Sequence, residues 1–189
     1  MDTWLGDVAM WEKKGRFLGF PGPSGRPRLY DHFMANVIAA NVSGHVIPIQ
    51  VPAFEGLKYV ARQIRTFGLS PPSVIYLDTA HEYPSTELEM QAAWELLPPE
   101  GILTGDDYDK FWPAVQQSVN DFVAYHQEAI QPPAEWAAAW PGRKRMRHVA
   151  LVDELETSPA SPLLVRAPSQ WLLRKAAAAN ARGDVGGGR

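Results

Sequence analysis

Two short stretches, each an apolar run ending in acidic residues, constrain the fold of this chain more than any other feature. They are "VIYLDTAHEY" (residues 74–83) and "GILTGDDYD" (residues 101–109). Nearly unbroken apolar character is typical of strands covered on both faces of a parallel sheet. The interval between the two runs fits one crossover helix, so we predict that the two strands are neighbours.

Helix and strand patterns alternate around these two runs. The alternation predicts an α/β fold, a Rossmann-like parallel sheet with helices on both faces. "HVALVDEL" and "PSQWLLRK" are predicted as a late antiparallel strand pair. Pro48 cannot donate to a ladder, so the predicted strand "HVIPIQV" should lie at a sheet edge. Apolar periodicity predicts helices over residues 28–41, 57–68, 85–97 and 112–123.

Length and composition limit the classes of protein that remain. At 189 residues the chain fits one domain with a sizeable core, and its net charge of -3 creates no field that recruits nucleic acid or an anionic membrane. The absence of cysteine excludes disulfides and thiolate metal sites. We expect a soluble, cytoplasmic protein that binds neither nucleic acid nor a membrane. Residues 176–189 are predicted to be a disordered tail.

Acidic residues follow both predicted strands. Asp78 ends the first strand, and Asp106 and Asp107 follow the second by one glycine. Ligands of open parallel sheets bind at the carboxyl ends of the strands, where these side chains should converge. Such a cluster repels itself unless it takes up protons or a cation, and its hard oxygens suit Mg²⁺, Mn²⁺ or Ca²⁺. The alternative, that each aspartate is only a helix cap or loop carboxylate, stays open.

His81 lies on the loop expected to overhang the same edge of the sheet. A neutral imidazole there could take a proton from a substrate hydroxyl. The alternative is a surface or capping histidine. Tyr83 and Tyr108 are interpreted as packing residues rather than pocket walls, and the basic "GRKRMRH" (residues 142–148) as a solvated loop. The spacing of Thr86 and Glu89 predicts a capping box at the start of the third helix.

Residues 74–123, together with "DTWLGD", "LYDHFMANVI" and the late "QWLLRK", resemble class I S-adenosylmethionine-dependent methyltransferases. The closest group is that of the cation-dependent sugar and antibiotic O-methyltransferases. The resemblance implies that Asp78, Asp106 and Asp107 bind a divalent cation, Mg²⁺ foremost, which holds a small-molecule acceptor. It implies His81 as the catalytic base. It also assigns Asp2, at the ribose hydroxyls, and Asp78 to binding of the S-adenosylmethionine cofactor.

The chain departs from this family in one respect. The glycine-rich loop between the family's first strand and first helix should lie before Asp2, where this sequence has only Met1. The resemblance therefore implies a partial, N-terminally truncated methyltransferase domain over residues 1–175, which lacks the first strand and binds the cofactor poorly or not at all. The alternative, that a partner supplies the missing portion, stays open.

Two other functions remain open at this point. One is a non-catalytic binding or assembly module that keeps the methyltransferase fold. The other is a nucleotide-binding α/β enzyme whose acids hold Mg²⁺ and a phosphate, although the chain has no P-loop lysine motif.

Overall fold

The computed structural model describes residues 1–6, 11, 25–79, 81–126, 129–130, 143–145, 150–152 and 169–177. The chain divides into two compact units, Met1–Gly56 and Leu57–Arg189. Most of the predicted disordered tail lies outside the described residues. Among the helices of the described residues, none is long and apolar enough to cross a bilayer.

The first unit is built around helix α1, Leu29–Ala39, followed by a short 3-10 helix, Ser43–His45. The Trp4 indole packs edge-on against Tyr30, with ring centroids 5.0 Å apart, and lies 5.4 Å from the Phe33 ring. These contacts attach the N-terminal segment to α1. Helix α2, Ala53–Phe67, begins in this unit and continues into the second.

The strand predicted at residues 45–51 is wrong. His45 closes the 3-10 helix, and residues 46–50 have no regular secondary structure. Pro48 has no N–H to donate. The Asp2 N–H donates to the Ile49 carbonyl at 3.2 Å, and this single contact builds no ladder. A β-like composition therefore does not produce a strand where no neighbouring strand provides continuous pairing.

The described residues of the second unit form a five-stranded sheet in the order β1-β2-β5-β4-β3. Strands β1 and β2 are parallel, with Leu77 opposite Gly105, and the remaining neighbours are antiparallel. The prediction of a late antiparallel pair is confirmed, because β4 pairs with β5. The strands are β1 Val74–Leu77, β2 Ile102–Gly105, β3 Arg143–Arg145, β4 Ala150–Val152 and β5 Gln170–Arg174.

The sheet and two helices enclose the core of the second unit. Helix α3, Ser85–Leu96, connects β1 to β2, and helix α4, Pro113–His126, follows β2, as predicted. Alternation along the strands directs one set of side chains to these helices, while Tyr76 on the opposite face is 48% exposed. The largest of the fully buried side chains are Trp171, Phe122, Leu57, Met90, Leu103, Ile130 and Leu173.

Two local predictions are wrong. The start of α3 has Pro84 as its N-cap, without a side-chain cap, so Thr86 and Glu89 do not form a capping box. Instead, the Thr86 hydroxyl donates to the Glu82 carbonyl at 3.1 Å, and Glu89 accepts a hydrogen bond from the Thr79 hydroxyl. Residues 143–145 of the predicted basic loop form strand β3.

A histidine at the end of α4, His126, is expected to make the stability of the fold dependent on pH. The His126 Nε2 lies 2.8 Å from Gln91 Oε1, and burial, with a smaller effect of the Lys175 charge, lowers the pKa of His126. The unfolded chain takes up a proton near the ordinary value of 6.5, whereas the folded chain resists it. The free energy of unfolding should therefore fall as the pH drops through 6.5 towards the lowered folded pKa.

We expect this contribution to lower the melting temperature by about 1–3 °C between pH values of about 7.5 and 5.5. The His126→Gln variant should show a correspondingly smaller fall, measured by thermal unfolding at both pH values. Equal falls in the two proteins would contradict the assignment.

Candidate metal and acceptor site

The candidate site lies where the two parallel strands end at the same edge of the sheet. Asp78 directly follows β1, and Asp106 and Asp107 directly follow β2. The Asp106 N–H donates to the Leu77 carbonyl at 3.3 Å, which links the two strand ends. The strand-end rule therefore places these acidic residues on adjacent segments of backbone.

Two of the predicted acids and the predicted base meet at this edge. The His81 Nε2 lies 2.6 Å from Asp107 Oδ2 and 3.7 Å from Asp78 Oδ1. One ligand atom from each of the three residues lies within 4.8 Å of the others. The Asp78 side chain is 59% exposed, whereas those of His81 and Asp107 are 23% and 26% exposed. The group is open to a solute on the Asp78 side.

The carboxylate of Asp106 lies beside this group but is not part of it. Its Oδ1 accepts hydrogen bonds from the Ser169 hydroxyl at 3.1 Å and from the Asp107 N–H at 2.8 Å. Its Oδ2 accepts one from the Tyr76 hydroxyl at 3.2 Å, and its backbone carbonyl accepts one from the Trp171 indole at 3.2 Å. Asp106 thus fastens the loop after β2 to β5. Its role as a cation ligand stays a prediction.

Asp107 has an unusual backbone conformation and an unusual acidity. Its φ is 61°, in the left-handed region, which aspartate tolerates better than most residues. Burial raises the pKa of its carboxyl, the His81 contact lowers it, and the negative charges of Asp106 and Asp78 raise it. A cation at this position would offset the desolvation and the repulsion together. The carboxylates of Asp78 and Asp107 are oxygen donors that fit a divalent cation, and the imidazole of His81 lies beside them.

Trp112, the first residue of the helix predicted over residues 112–123, is a further member of the site. The residue lies immediately before Pro113, the first residue of α4, and is 38% exposed. Its indole packs on the His81 imidazole, with ring centroids 4.3 Å apart and a tilt of 31°. Because proline is favoured at the first helical position, the sequence could have placed Trp112 at the helix cap, on the loop that joins β2 to α4.

The two tyrosines next to the acidic motifs differ in their surroundings. Tyr108 is 7% exposed and donates its hydroxyl to Asn120 Oδ1 at 2.8 Å, which confirms a packing role. Tyr83 is 46% exposed, so the prediction that it is a packing residue is wrong.

Asp2, the predicted ligand of the cofactor ribose, belongs to the first unit. Its side chain is exposed, and its Oδ1 accepts a hydrogen bond from the Trp4 N–H at 2.7 Å. This bond fixes the carboxylate at the start of the Trp4 turn. Its contact with a cofactor stays a prediction.

The structure is similar to solved structures of two O-methyltransferases. One is apo CalS11, a TDP-rhamnose 3'-O-methyltransferase of calicheamicin biosynthesis, at 17% identity and a TM-score of 0.44, covering 92% of this chain and 56% of that one. The other is an O-methyltransferase from Bacillus cereus in complex with SAH, at 16% identity and a TM-score of 0.45, covering 79% of this chain and 58% of that one. The chain therefore spans little more than half the length of these proteins. No protein-family model and no curated protein matches the sequence.

The Tyr76–Asp106 contact can be tested by titration. Burial, followed by the charge of Asp106, raises the pKa of Tyr76 from 10.0 to about 12. Replacing Asp106 by asparagine removes the charge and keeps the side-chain shape, so the pKa of Tyr76 should fall towards 10.0. Tyrosinate absorbance would follow the titration, and the Tyr76→Phe variant identifies which transition belongs to Tyr76. An unchanged transition in the Asp106→Asn variant would contradict the contact.

Proposed function

We propose that this chain is part of an S-adenosylmethionine-dependent O-methyltransferase that methylates a small-molecule hydroxyl with the help of a divalent cation, Mg²⁺ foremost. The observation that supports the proposal best is the meeting of Asp78, His81 and Asp107 at the carboxyl ends of two parallel strands. This is the place where open α/β sheets bind their ligands. The motifs around these residues are the ones that carry the resemblance described above.

Asp78 and Asp107 would hold the cation, since both carboxylates approach the same space from adjacent strand ends. A bound divalent cation lowers the pKa of a hydroxyl that coordinates it and fixes the position of that oxygen. Asp106 would hold the backbone of Asp107 in place through its own hydrogen bonds, and would complete the ligand set if its carboxylate turned. Asp2 would accept hydrogen bonds from the ribose hydroxyls of the methyl donor.

His81 would act as the base. In the neutral ring, the contact with Asp107 at 2.6 Å fixes the proton on Nε2, because a carboxylate only accepts. Nδ1 would then be the atom that accepts the proton of the acceptor hydroxyl when S-adenosylmethionine supplies the methyl group. The charge that develops on the ring is stabilised by the Asp107 carboxylate and by the face of the Trp112 indole. The arrangement follows the general logic of a base oriented by a third group.

The test is an assay of methyl transfer to a panel of hydroxylated small molecules, in which the release of S-adenosylhomocysteine is measured. Turnover should require Mg²⁺, disappear in excess chelator and return when Mg²⁺ is restored. Turnover that persists in chelator would contradict the role of the cation. Calorimetry with S-adenosylmethionine separates the rival function, because binding of the cofactor by this chain would argue against a non-catalytic module.

A further inference from the structure

The second unit has a recess between helices α2 and α3. It lies on elements other than the strand ends that carry Asp78 and Asp107. It has a volume of about 590 Å³. Such a volume lies within the range of about 300–1,000 Å³ that is usual for small-molecule sites. The small side chains of Ala61 and Ala92 line it beside those of Leu57 and Leu96. Its wall therefore has room for a ligand and an apolar surface against which an organic group can pack.

The charge of this recess is strongly one-sided. Lys58, Arg62 and Arg65 line it, and Glu95 is the one acidic residue of the lining. The spacing of the three basic residues, four and then three positions apart, puts them on one face of α2. Three cations against one anion leave a formal charge of +2 around the recess.

The two arginines are not neutralised by the part of the chain that the structure describes. Among the described residues, no carboxylate lies within salt-bridge distance of Arg62 or Arg65. Glu95 instead accepts a hydrogen bond from the Gln91 amide at 3.2 Å. Like charges three positions apart on a helix repel each other, so an anion bound at this face of α2 would relieve the repulsion between Arg62 and Arg65.

We propose that this recess is a binding site for a small molecule that carries a diphosphate group. Guanidinium groups present paired donors that match the oxygens of phosphate, and neighbouring arginines suit two linked phosphates better than a single carboxylate. Arg62 and Arg65 hold the diphosphate, and Lys58 adds charge at the same face. The ring of Tyr59, which is 52% exposed and also lines the recess, lies beside the organic part of the ligand.

Calorimetric titration with pyrophosphate and with ADP tests the site. The buffer contains chelator and no divalent cation, so that neither anion can be held through a metal ion at Asp78 and Asp107. We expect saturable binding of at least one of the two probes by the unmodified chain. The double variant Arg62→Gln/Arg65→Gln should bind it at least about 10-fold more weakly, because it loses both charge-assisted contacts.

The matched control is Arg26→Gln/Arg28→Gln, which removes the same charge from two exposed arginines of the first unit. It should keep the affinity of the unmodified chain. Thermal unfolding of both double variants verifies that each remains folded, so that a loss of binding does not reflect a loss of the fold. The Asp107→Asn variant should also keep the affinity, which separates this site from the proposed methyltransferase chemistry.

Two results would overturn the proposal. One is the absence of saturable binding of both probes by the unmodified chain. The other is an equal loss of affinity in the two double variants, which would reduce the effect to net charge.

Discussion

Replacing Asp107 by asparagine should weaken the binding of Mn²⁺ by about 100-fold, or about 2.7 kcal/mol. The substitution keeps the shape of the side chain but removes the charge that faces both His81 and Asp78. Mn²⁺ takes the same oxygen ligands as Mg²⁺, and its free form is counted directly by electron paramagnetic resonance. Titration of the unmodified chain and the variant gives the two dissociation constants.

The matched control is Asp109→Asn, which makes the same change of charge two positions further along the loop. Asp109 Oδ1 accepts a hydrogen bond from the Phe111 N–H at 2.7 Å, and the asparagine oxygen can accept it equally. This variant should bind Mn²⁺ with nearly the affinity of the unmodified chain. A loss as large as that of Asp107→Asn would show that the loop attracts cations only through its net charge.

Asp106→Asn provides an internal comparison. Because both oxygens of the Asp106 carboxylate already accept hydrogen bonds, its replacement should weaken Mn²⁺ binding less than that of Asp107. An equal loss would indicate that the Asp106 carboxylate turns towards the cation when it binds, as the sequence resemblance implies.

Replacing Gly105 by alanine should destabilise the second unit by about 3 kcal/mol, because the added methyl group has no space. A Cβ at this position would lie 2.6 Å from the Leu77 carbonyl oxygen and 2.6 Å from an atom of the Trp171 ring. The Leu77 carbonyl belongs to the backbone of β1, and Trp171 is 1% exposed. Neither can move without disturbing the sheet, so the glycine before the acidic pair is required by packing.

Urea denaturation measures this effect, and Gly44→Ala is the matched control. No atom lies within 4 Å of a Cβ built on Gly44, so its replacement should change the free energy of unfolding by less than about 0.5 kcal/mol. Similar free energies of unfolding for the Gly105 variant and the unmodified chain would contradict the close packing of β1, β2 and Trp171.

The sequence was sufficient to predict which residues end the two parallel strands, because apolar runs and strand ends are local features. Asp78 and Asp107 were therefore placed at the correct edge of the sheet. The direction of each side chain was not predictable in the same way. Asp106 and Asp107 are adjacent in sequence, and their carboxylates separate because of the left-handed φ of Asp107 and the hydrogen bond from Ser169.

Features that depend on residues distant in the sequence were likewise not predictable, because the sequence does not show which segments become neighbours. Ser169 reaches Asp106 only because β5 runs antiparallel to β2, with Trp171 opposite Gly105. The "HVIPIQV" segment has the composition of a strand, but a strand needs a continuous neighbour, which composition does not reveal. Trp112 was included in the helix predicted over residues 112–123 because its position fits the apolar period of α4, although the helix begins one residue later.

Anomalous diffraction from crystals of this chain grown with Mn²⁺ would test the central claim most directly. We expect one strong peak at about 2.2 Å from a carboxylate oxygen of Asp78 and one of Asp107, with His81 beside it. A map in which Mn²⁺ binds elsewhere, or leaves these two carboxylates without a peak at saturating concentration, would contradict the cation site and the methyltransferase proposal that depends on it.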